Sequence, residues 1–492
     1  MAHLPVYLAD FSCFNAPDEL KVDFFKSQEA AWKWKCCTKA KHDFVSKIFL
    51  ASGISTTQTA VPACIQPVHC DEPKMDLNNA QAECKLVYGQ VISEVLRKTG
   101  LKATDVDILL TNTSIYCPTP SIASLVVNMF GMREDVQCYH MGGMGCAMGV
   151  VGLNLVKDML VAHPGKICLF VSSEIITSAF YPGQRQEALL TNALFRMGGS
   201  AAILTNNPAW KARSKYQLQH CLRVHTGASD RAFNTLNWEP DENGINGMVI
   251  TKTLPSEAAA VLEKGVRKMT PSIMTWGQYA EAAINYAQAY AAQLSGGRIC
   301  AEPTPYQPDY TRCADHFLLH AGGYAILRGI QKGLRLPAQQ MMPSFASLRD
   351  FGNTSSASTW YTWSYIESTE SIAKGETILQ VGVGGGMKSG VAYWRALRSI
   401  KDTHPCWAHL GGVPLTEADL PRPISNDYKS IFDLPSSRSQ EEQKKVIETT
   451  NAAPRVTLAQ AKLQQEQREK AAAASAAAEC IKLHAAAAVA AR

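Results

Sequence analysis

The chain is poor in what a membrane span requires: none of its apolar runs approaches the roughly 20 residues that a spanning helix needs. No secretory leader is expected, since "MAHLPVYLADFSCFNAPDEL" meets Pro5 and Asp10 before any apolar run develops. Charge of one sign is scarce as well. The net charge is +5 over 492 residues, with Lys and Arg scattered among acids, so no basic stripe exists to track a phosphate backbone and nucleic acid is not an expected partner. Cysteine is present at 15 positions, but CxxC pairs and zinc-type His/Cys spacings are missing and the number is odd. Neither a disulfide framework nor a structural metal is expected, and a reducing compartment fits best.

What is present is a large core, with 46% hydrophobic and 18% charged residues, enough for two domain-sized halves plus appendages. Strand and helix patterns alternate. "VDILLTNTS" (106–114) is a strand followed by the helix "PSIASLVVNMFG"; then come a glycine-rich turn at Cys146 with its helix, and the buried strand "KICLFVSSE" (166–174). The order recurs later. "DHFLLHAGG" (315–323) leads to the helix "YAILRGIQKGL", the polar turn and helix "FGNTSSASTWYTWSYI" (351–366), and the strand "ETILQVGVGGG" (376–386). This predicts an α/β fold of two similar halves with mostly parallel sheets and sites at strand carboxyl ends. The expected divisions are an N-terminal half at 1–253, a helical insertion or cap at 254–309, a C-terminal half at 310–402, and a linker with an alanine-rich tail at 403–492.

Cys146 stands where the turn "GGMGCAMG" becomes an apolar helix. A helix amino terminus lowers a cysteine's pKa, so an ionised nucleophile is expected there, with buried packing as the alternative. The repeated half offers partners: His320 at the end of "FLLHAGG" and Asn353 in "FGNTSS". Each has an ordinary alternative, a backbone-bonded strand-end histidine and a helix-capping asparagine. His316 and His320 are spaced i, i+4, but Phe317 stands where a metalloprotease motif needs glutamate, so no metal site is expected. Cys, His and Asn in this order also describe papain-like proteases, whose local contexts differ. Gly384, Gly385 and Gly386 do not complete a dinucleotide fingerprint.

Taken together, "VYLADFSCF", "TNTSIYCPTPSIASLVVN", "GGMGCAMG", "LLTNALFRMGGSAAIL", "HTGASD", "HFLLHAGG", "FGNTSSAS" and "GETILQVGVGGGMKSGVAYW" resemble the very-long-chain 3-ketoacyl-CoA synthases. These are condensing enzymes of fatty acid elongation in the thiolase superfamily, near the type III polyketide synthases. The resemblance runs from about Val6 to Arg398. It implies a thiolase-like fold, two similar halves in a layered αβαβα arrangement. It further implies decarboxylative condensation of long-chain acyl-CoA with malonyl-CoA, with a polyketide-type reaction on another starter as the alternative.

In that frame Cys146 takes the acyl group, and His320 and Asn353 bind the malonyl thioester. The Cys146 N–H and the Gly384–Gly386 loop form a second oxyanion site, while His225 and His316 are supporting residues. Phe195 either shapes the acyl channel or packs as a core aromatic. No cofactor is implied. A homodimer, elongase reductases and dehydratase as partners, and the endoplasmic reticulum membrane are implied, with the cytoplasm as the alternative location. The family ordinarily has two transmembrane helices before the segment resembling "VYLADFSCF", so the expectation is a truncated gene model or membrane docking by other means. The family's last loop continues as Phe-Lys-Cys-Asn where this chain has Met387, Lys388, Ser389 and Gly390.

Overall fold

The computed structural model describes residues 5–295 and 303–421. The chain starts with β1 (Val6–Cys13), buried at every position, followed by α1 (Phe24–Ala31), α2 (Lys39–Leu50) and the long α3 (Leu77–Thr99). Then β2 (Ile108–Thr113), α4 (Ile122–Phe130), β3 (Gln137–Gly142), α5 (Met148–Ala162) and β4 (Ile167–Glu174) alternate. The one-turn α6 (Ile176–Ala179) and α7 (Gln186–Leu194) lead to β5 (Gly198–Thr205) and β6 (Tyr216–His225).

After α8 (Asp230–Phe233) come β7 (Leu236–Pro240), β8 (Asn246–Ile250), α9 (Leu254–Ile273) and α10 (Trp276–Ser295). The last part holds β9 (His316–Leu319), α11 (Tyr324–Leu334), α12 (Ala338–Phe351), α13 (Ser358–Thr369), β10 (Thr377–Gly384) and β11 (Lys388–Ala396).

Nine strands form one sheet in the order β3-β2-β4-β5-β1-β6-β11-β10-β9. The duplication is visible in it, because β1-β5-β4-β2 and β6-β11-β10-β9 run in matching order outward from the seam. The expectation of mostly parallel sheets is corrected: β2–β3, β2–β4 and β9–β10 are parallel, and the other pairings in this sheet are antiparallel. Helical crossovers give the parallel pairs, whereas the returns from β4 to β5 and from β10 to β11 reverse direction.

α5 and α13 lie between the half-sheets. α5 packs on β4 of the first and on β6, β10 and β11 of the second, and α13 contacts β1, β5, β9 and β10. α3 covers the outer face of the first half and α9 that of the second, which gives the αβαβα layering. Burial follows these layers, with a central cluster around Phe11, Trp360, Trp363 and Trp394 and an outer one on each side.

The expected divisions shift accordingly. The large compact unit is Met1–Glu239 with Gly247–Pro435, so the halves share one unit rather than forming separate domains. Pro240–Asn246 belongs to a second, small unit, a tight turn in which Asp241 Oδ1 accepts from the Asn243 and Ile245 amides. The second half begins at β6, not at residue 310. Within 254–309, α9 is no cap: Ala258, Val261, Leu262, Val266 and Met269 are buried, and the helix packs on β6, β10 and β11. α10 leaves Trp276, Ile284, Tyr286 and Leu294 exposed.

Past Thr403 the chain still packs on the core. Cys406 and Trp407 are buried, and Trp407 Nε1 donates to Ser364 Oγ at 2.9 Å. The alanine-rich tail lies outside the described residues.

At the seam, Lys215 Nζ is 2.9 Å from Asp10, 2.7 Å from Glu367 and 2.7 Å from Asp402. Glu367, Asp402 and His404 are close enough together to share a metal ion, but this ammonium group already occupies their midst.

Candidate active site

Cys146 lies in the turn between β3 and α5, two residues before the first helical residue. Gly145 there has φ +75°, and a Cβ on it would meet the Gly385 amide at 2.7 Å; a Cβ on Gly384 would meet the Cys146 amide at 2.7 Å and the Ala147 amide at 2.4 Å. The Cys146 turn and the β10–β11 loop therefore touch through bare backbone. Lys388 ties them as well, its ammonium donating to Met144 O at 2.9 Å and Gly385 O at 2.5 Å. Gly384→Ala is expected to lower the rate of Cys146 acylation about a hundredfold, the usual cost of displacing a reacting group by about 1 Å, with the melting temperature a control for folding. Pre-steady-state thioester formation measures it.

The structure brings Cys146, His320 and Asn353 to the wall of one cavity of about 530 Å³, together with Gly384 and Gly385. Cys146 also faces an adjoining cavity of about 380 Å³, lined by Glu174, Ser355, His225, Gly386 and Lys388. The topology explains the meeting: β9 delivers His320 at its carboxyl end, and the turn before α13 delivers Asn353, as the matching turn before α5 delivers Cys146.

Asn353 Oδ1 accepts from the Ser355 amide at 2.9 Å, while Nδ2 reaches Gly322 O at 3.4 Å, which leaves the second amide hydrogen for a ligand. His225 is exposed and its Nδ1 accepts from the Gly227 amide, so it is not a core histidine; it reaches only the second cavity.

His316 is not at the site. It opens β9, and its Nε2 lies 2.9 Å from Glu376 Oε2. Four residues along a strand span roughly 13 Å, so His316 and His320 cannot hold one ion.

Burial opposes the ionised thiol that the helix terminus leads one to expect. Cys146 is 9% exposed, and burial pushes its pKa up to about 11; the Glu174 carboxylate adds to this, while Ser355 and Lys388 act the other way. Burial therefore favours the neutral thiol, against the pull of the helix terminus toward the thiolate. A base is needed, and His320 can serve. Burial lowers its pKa to about 4, which keeps the imidazole neutral at working pH.

His320 Nδ1 lies 2.5 Å from Ser358 Oγ, and Ser358 Oγ donates to Ser355 O at 3.0 Å. The network assigns the Nδ1–H tautomer, leaving the Nε2 lone pair as the ring's proton acceptor. Ser358→Ala is expected to lower kcat about tenfold, the worth of one buried hydrogen bond, with a smaller change in KM. Its kcat–pH profile should keep the acid limb near 4, because burial rather than Ser358 sets it. The sign follows from the lowered pKa: activity is present above it and lost as pH falls through it.

Sequence reasoning assigned no role to Glu174, Ser355 or Ser358. Ser355 Oγ sits 3.4 Å from Cys146 Sγ and 3.1 Å from Glu174 Oε2, and Glu174 accepts from the Ser114 and Ile115 amides. Burial raises the Glu174 pKa. The available signal was an acid ending a buried strand, "KICLFVSSE", beside the cysteine turn.

A cysteine at a helix start that shares one cavity with a histidine and an asparagine of the second half, in a duplicated αβαβα fold, is the arrangement of a thiolase-like condensing enzyme. The FAE1/Type III polyketide synthase-like protein family matches residues 2–289, and the 3-Oxoacyl-[acyl-carrier-protein (ACP)] synthase III C terminal family matches residues 312–396. 3-Ketoacyl-CoA synthase 4 of Arabidopsis thaliana is 34% identical over 81% of this chain and 75% of its own length, and 3-ketoacyl-CoA synthase 8 of the same plant is 34% identical over 81% and 82%. The chain belongs to the 3-ketoacyl-CoA synthase family. Among solved structures, 1,3,6,8-tetrahydroxynaphthalene synthase from Streptomyces coelicolor A3(2), a bacterial type III polyketide synthase, superposes with TM-score 0.61 at 17% identity, covering 80% of this chain and 99% of that one. The type III polyketide synthase domain of Steely1 from Dictyostelium gives 0.59 at 16%, over 80% and 99%. These likenesses show the fold.

Proposed function

We propose that the chain condenses a long-chain acyl-CoA with malonyl-CoA to give a 3-ketoacyl-CoA two carbons longer, with Cys146, His320 and Asn353 as the reacting and binding groups. The observation that carries this is their shared cavity. In the first half-reaction the Cys146 thiol passes its proton to His320 Nε2, and sulfur attacks the acyl-CoA carbonyl. The bond to coenzyme A breaks, and its thiolate takes the proton from His320. The carbonyl oxygen is held meanwhile by the Cys146 amide and a loop amide at Gly385, two backbones brought into contact by Gly145 and Gly384.

In the second half-reaction Asn353 Nδ2 and His320 donate to the malonyl thioester oxygen. Between the two half-reactions the ring gives up its Nδ1 proton and takes one on Nε2, both exchanged with solvent, and the Ser358 hydroxyl turns to donate to Nδ1. Carbon dioxide leaves, its bonding pair becomes the enolate, and the enolate carbon attacks the Cys146 thioester. The carbon–sulfur bond breaks and the thiolate regains a proton from solvent. Holding both reactants in one chamber replaces a bimolecular encounter with a positioned one.

The test is purified chain supplied with both substrates, 3-ketoacyl-CoA being read by mass spectrometry; free coenzyme A without ketoacyl product would refute condensation. By family we also propose a homodimer acting beside ketoreductase, dehydratase and enoyl reductase activities at the endoplasmic reticulum. Among the described residues no helix is long and apolar enough to cross a membrane.

A further inference from the structure

Ser355 Oγ carries one hydrogen and faces two acceptors, Cys146 Sγ at 3.4 Å and Glu174 Oε2 at 3.1 Å. Only one of them can hold it at a time. Ser355 stands between them on a backbone at φ +55°, a conformation disfavoured for any residue that has a Cβ. Its neighbours pin it there: the Ser355 amide donates to Asn353 Oδ1 at 2.9 Å, Ser355 O accepts from Ser358 Oγ at 3.0 Å, and the adjoining Ser356 Oγ donates to Asn112 Oδ1 at 2.7 Å. Strain held in place beside a reacting sulfur points to a use for the side chain.

Glu174 decides where the hydrogen goes. Its carboxyl ends β4, is buried, and is used by neither half-reaction above. Oε1 accepts from the Ser114 amide at 3.0 Å and the Ile115 amide at 3.1 Å, while Oε2 meets the Ser114 amide at 3.1 Å and the Ser355 hydroxyl. With both lone pairs of Oε1 filled, a proton taken up by the carboxyl sits on Oε2, aimed at Ser355. The titratable groups that feel Glu174 are Glu83 and Tyr88 of α3, Cys117 in the segment after β2, and Cys146; Lys388 acts on the sulfur from β11. Burial raises the Glu174 pKa, which extends its protonated form to higher pH.

We propose that Glu174 is a positioning residue that sets the charge state of Cys146 through Ser355; the proposal rests on Cys146 being the nucleophile of the condensing reading above. As a carboxylate, Glu174 claims the hydroxyl hydrogen, so Ser355 turns a lone pair to the sulfur and the thiol is the matched partner. When Glu174 takes a proton from solvent, its O–H donates to Ser355 Oγ, the hydroxyl hydrogen turns to the sulfur, and the thiolate is the matched partner. One O–H bond forms on Glu174, and no other covalent bond changes. The thiolate is thereby supported during acylation, and again when the carbon–sulfur bond breaks after condensation.

Glu174→Gln fixes the donating form, since the amide oxygen keeps the Ser114 and Ile115 contacts and the amide nitrogen donates to Ser355. The readout is the pH dependence of Cys146 alkylation by iodoacetamide without substrate, followed at that residue by peptide mass spectrometry. Glu174→Gln is expected to lower the midpoint by about one pH unit or more, a roughly tenfold gain in thiolate at any fixed pH below it. Ser355→Gly, which adopts φ +55° without strain, is expected to raise the midpoint, and in its background Glu174→Gln should move it less than half as far. A midpoint that Glu174→Gln leaves unmoved or raises, or that Ser355→Gly leaves unmoved or lowers, overturns the proposal. So does a Glu174→Gln shift that persists by half or more without the hydroxyl, because the bare charge of the carboxylate then suffices. If Glu174→Gln does not fold, Ser355→Gly decides alone. Ketoacyl product that fails to form although these shifts occur would instead overturn the condensing reading, so the two failures are distinguishable.

Discussion

Cys146→Ala is expected to abolish ketoacyl-CoA formation, by a factor on the order of 10⁴ or more, while leaving malonyl-CoA decarboxylation measurable. Loss of a nucleophile removes a covalent step that no neighbour can replace. The sulfur is held against Ser355 Oγ and the glycine loop, and alanine fits the same space without strain. The donors proposed for the malonyl oxygen come from the end of β9 and the turn before α13, which the substitution does not touch. Intact-protein mass spectrometry should show the acyl adduct on native chain only. An adduct persisting in Cys146→Ala would place the nucleophile elsewhere, and 14 other cysteines (15 less Cys146) make that a real test.

Asn353→Ala should separate the two half-reactions from the opposite side. The amide supplies one hydrogen bond to the developing enolate, and removing such a donor costs on the order of 10²–10³ in rate. Acylation of Cys146 should proceed, so the variant accumulates acyl-enzyme, and carbon dioxide release from labelled malonyl-CoA should fall by the same factor as product. Asn353 Oδ1 also accepts from the Ser355 amide, so Asn353→Asp keeps that contact while replacing the donor with an acceptor. It is expected to be no better than alanine. If either variant fails in acylation instead, the assignment of Asn353 to the malonyl step is wrong.

The shared cavity is legible in the linear chain because each of the three residues proposed to react sits in a local signal: glycines around Cys146, a small-residue turn after His320, a polar turn before an apolar helix at Asn353. The duplication is legible for the same reason, since strand, helix and turn recur in order. What is not legible arises from distance along the chain. β6 has no apolar run, its exposed residues being His220, Arg223 and His225, and only its pairing with β1 and β11 marks it as the start of the second half. α9 reads as an amphipathic appendage until β10 and β11 are placed beneath it. The thiol's protonation follows from how much solvent the second half removes, which no local pattern around Cys146 encodes. The Ser355–Glu174 contact joins residues 181 apart (355 minus 174).

β1 pairs with β5 on one side and β6 on the other, so its neighbours are translated about 200 residues after it. At ribosomal speeds of about 5–20 residues per second, that interval lasts on the order of ten to forty seconds. Throughout it, an apolar strand with both edges open leaves the ribosome without a mate, the condition under which nascent chains recruit chaperones or aggregate. Slowing codons or chaperone depletion ahead of residue 225 should therefore reduce soluble yield more than the same perturbation placed after it.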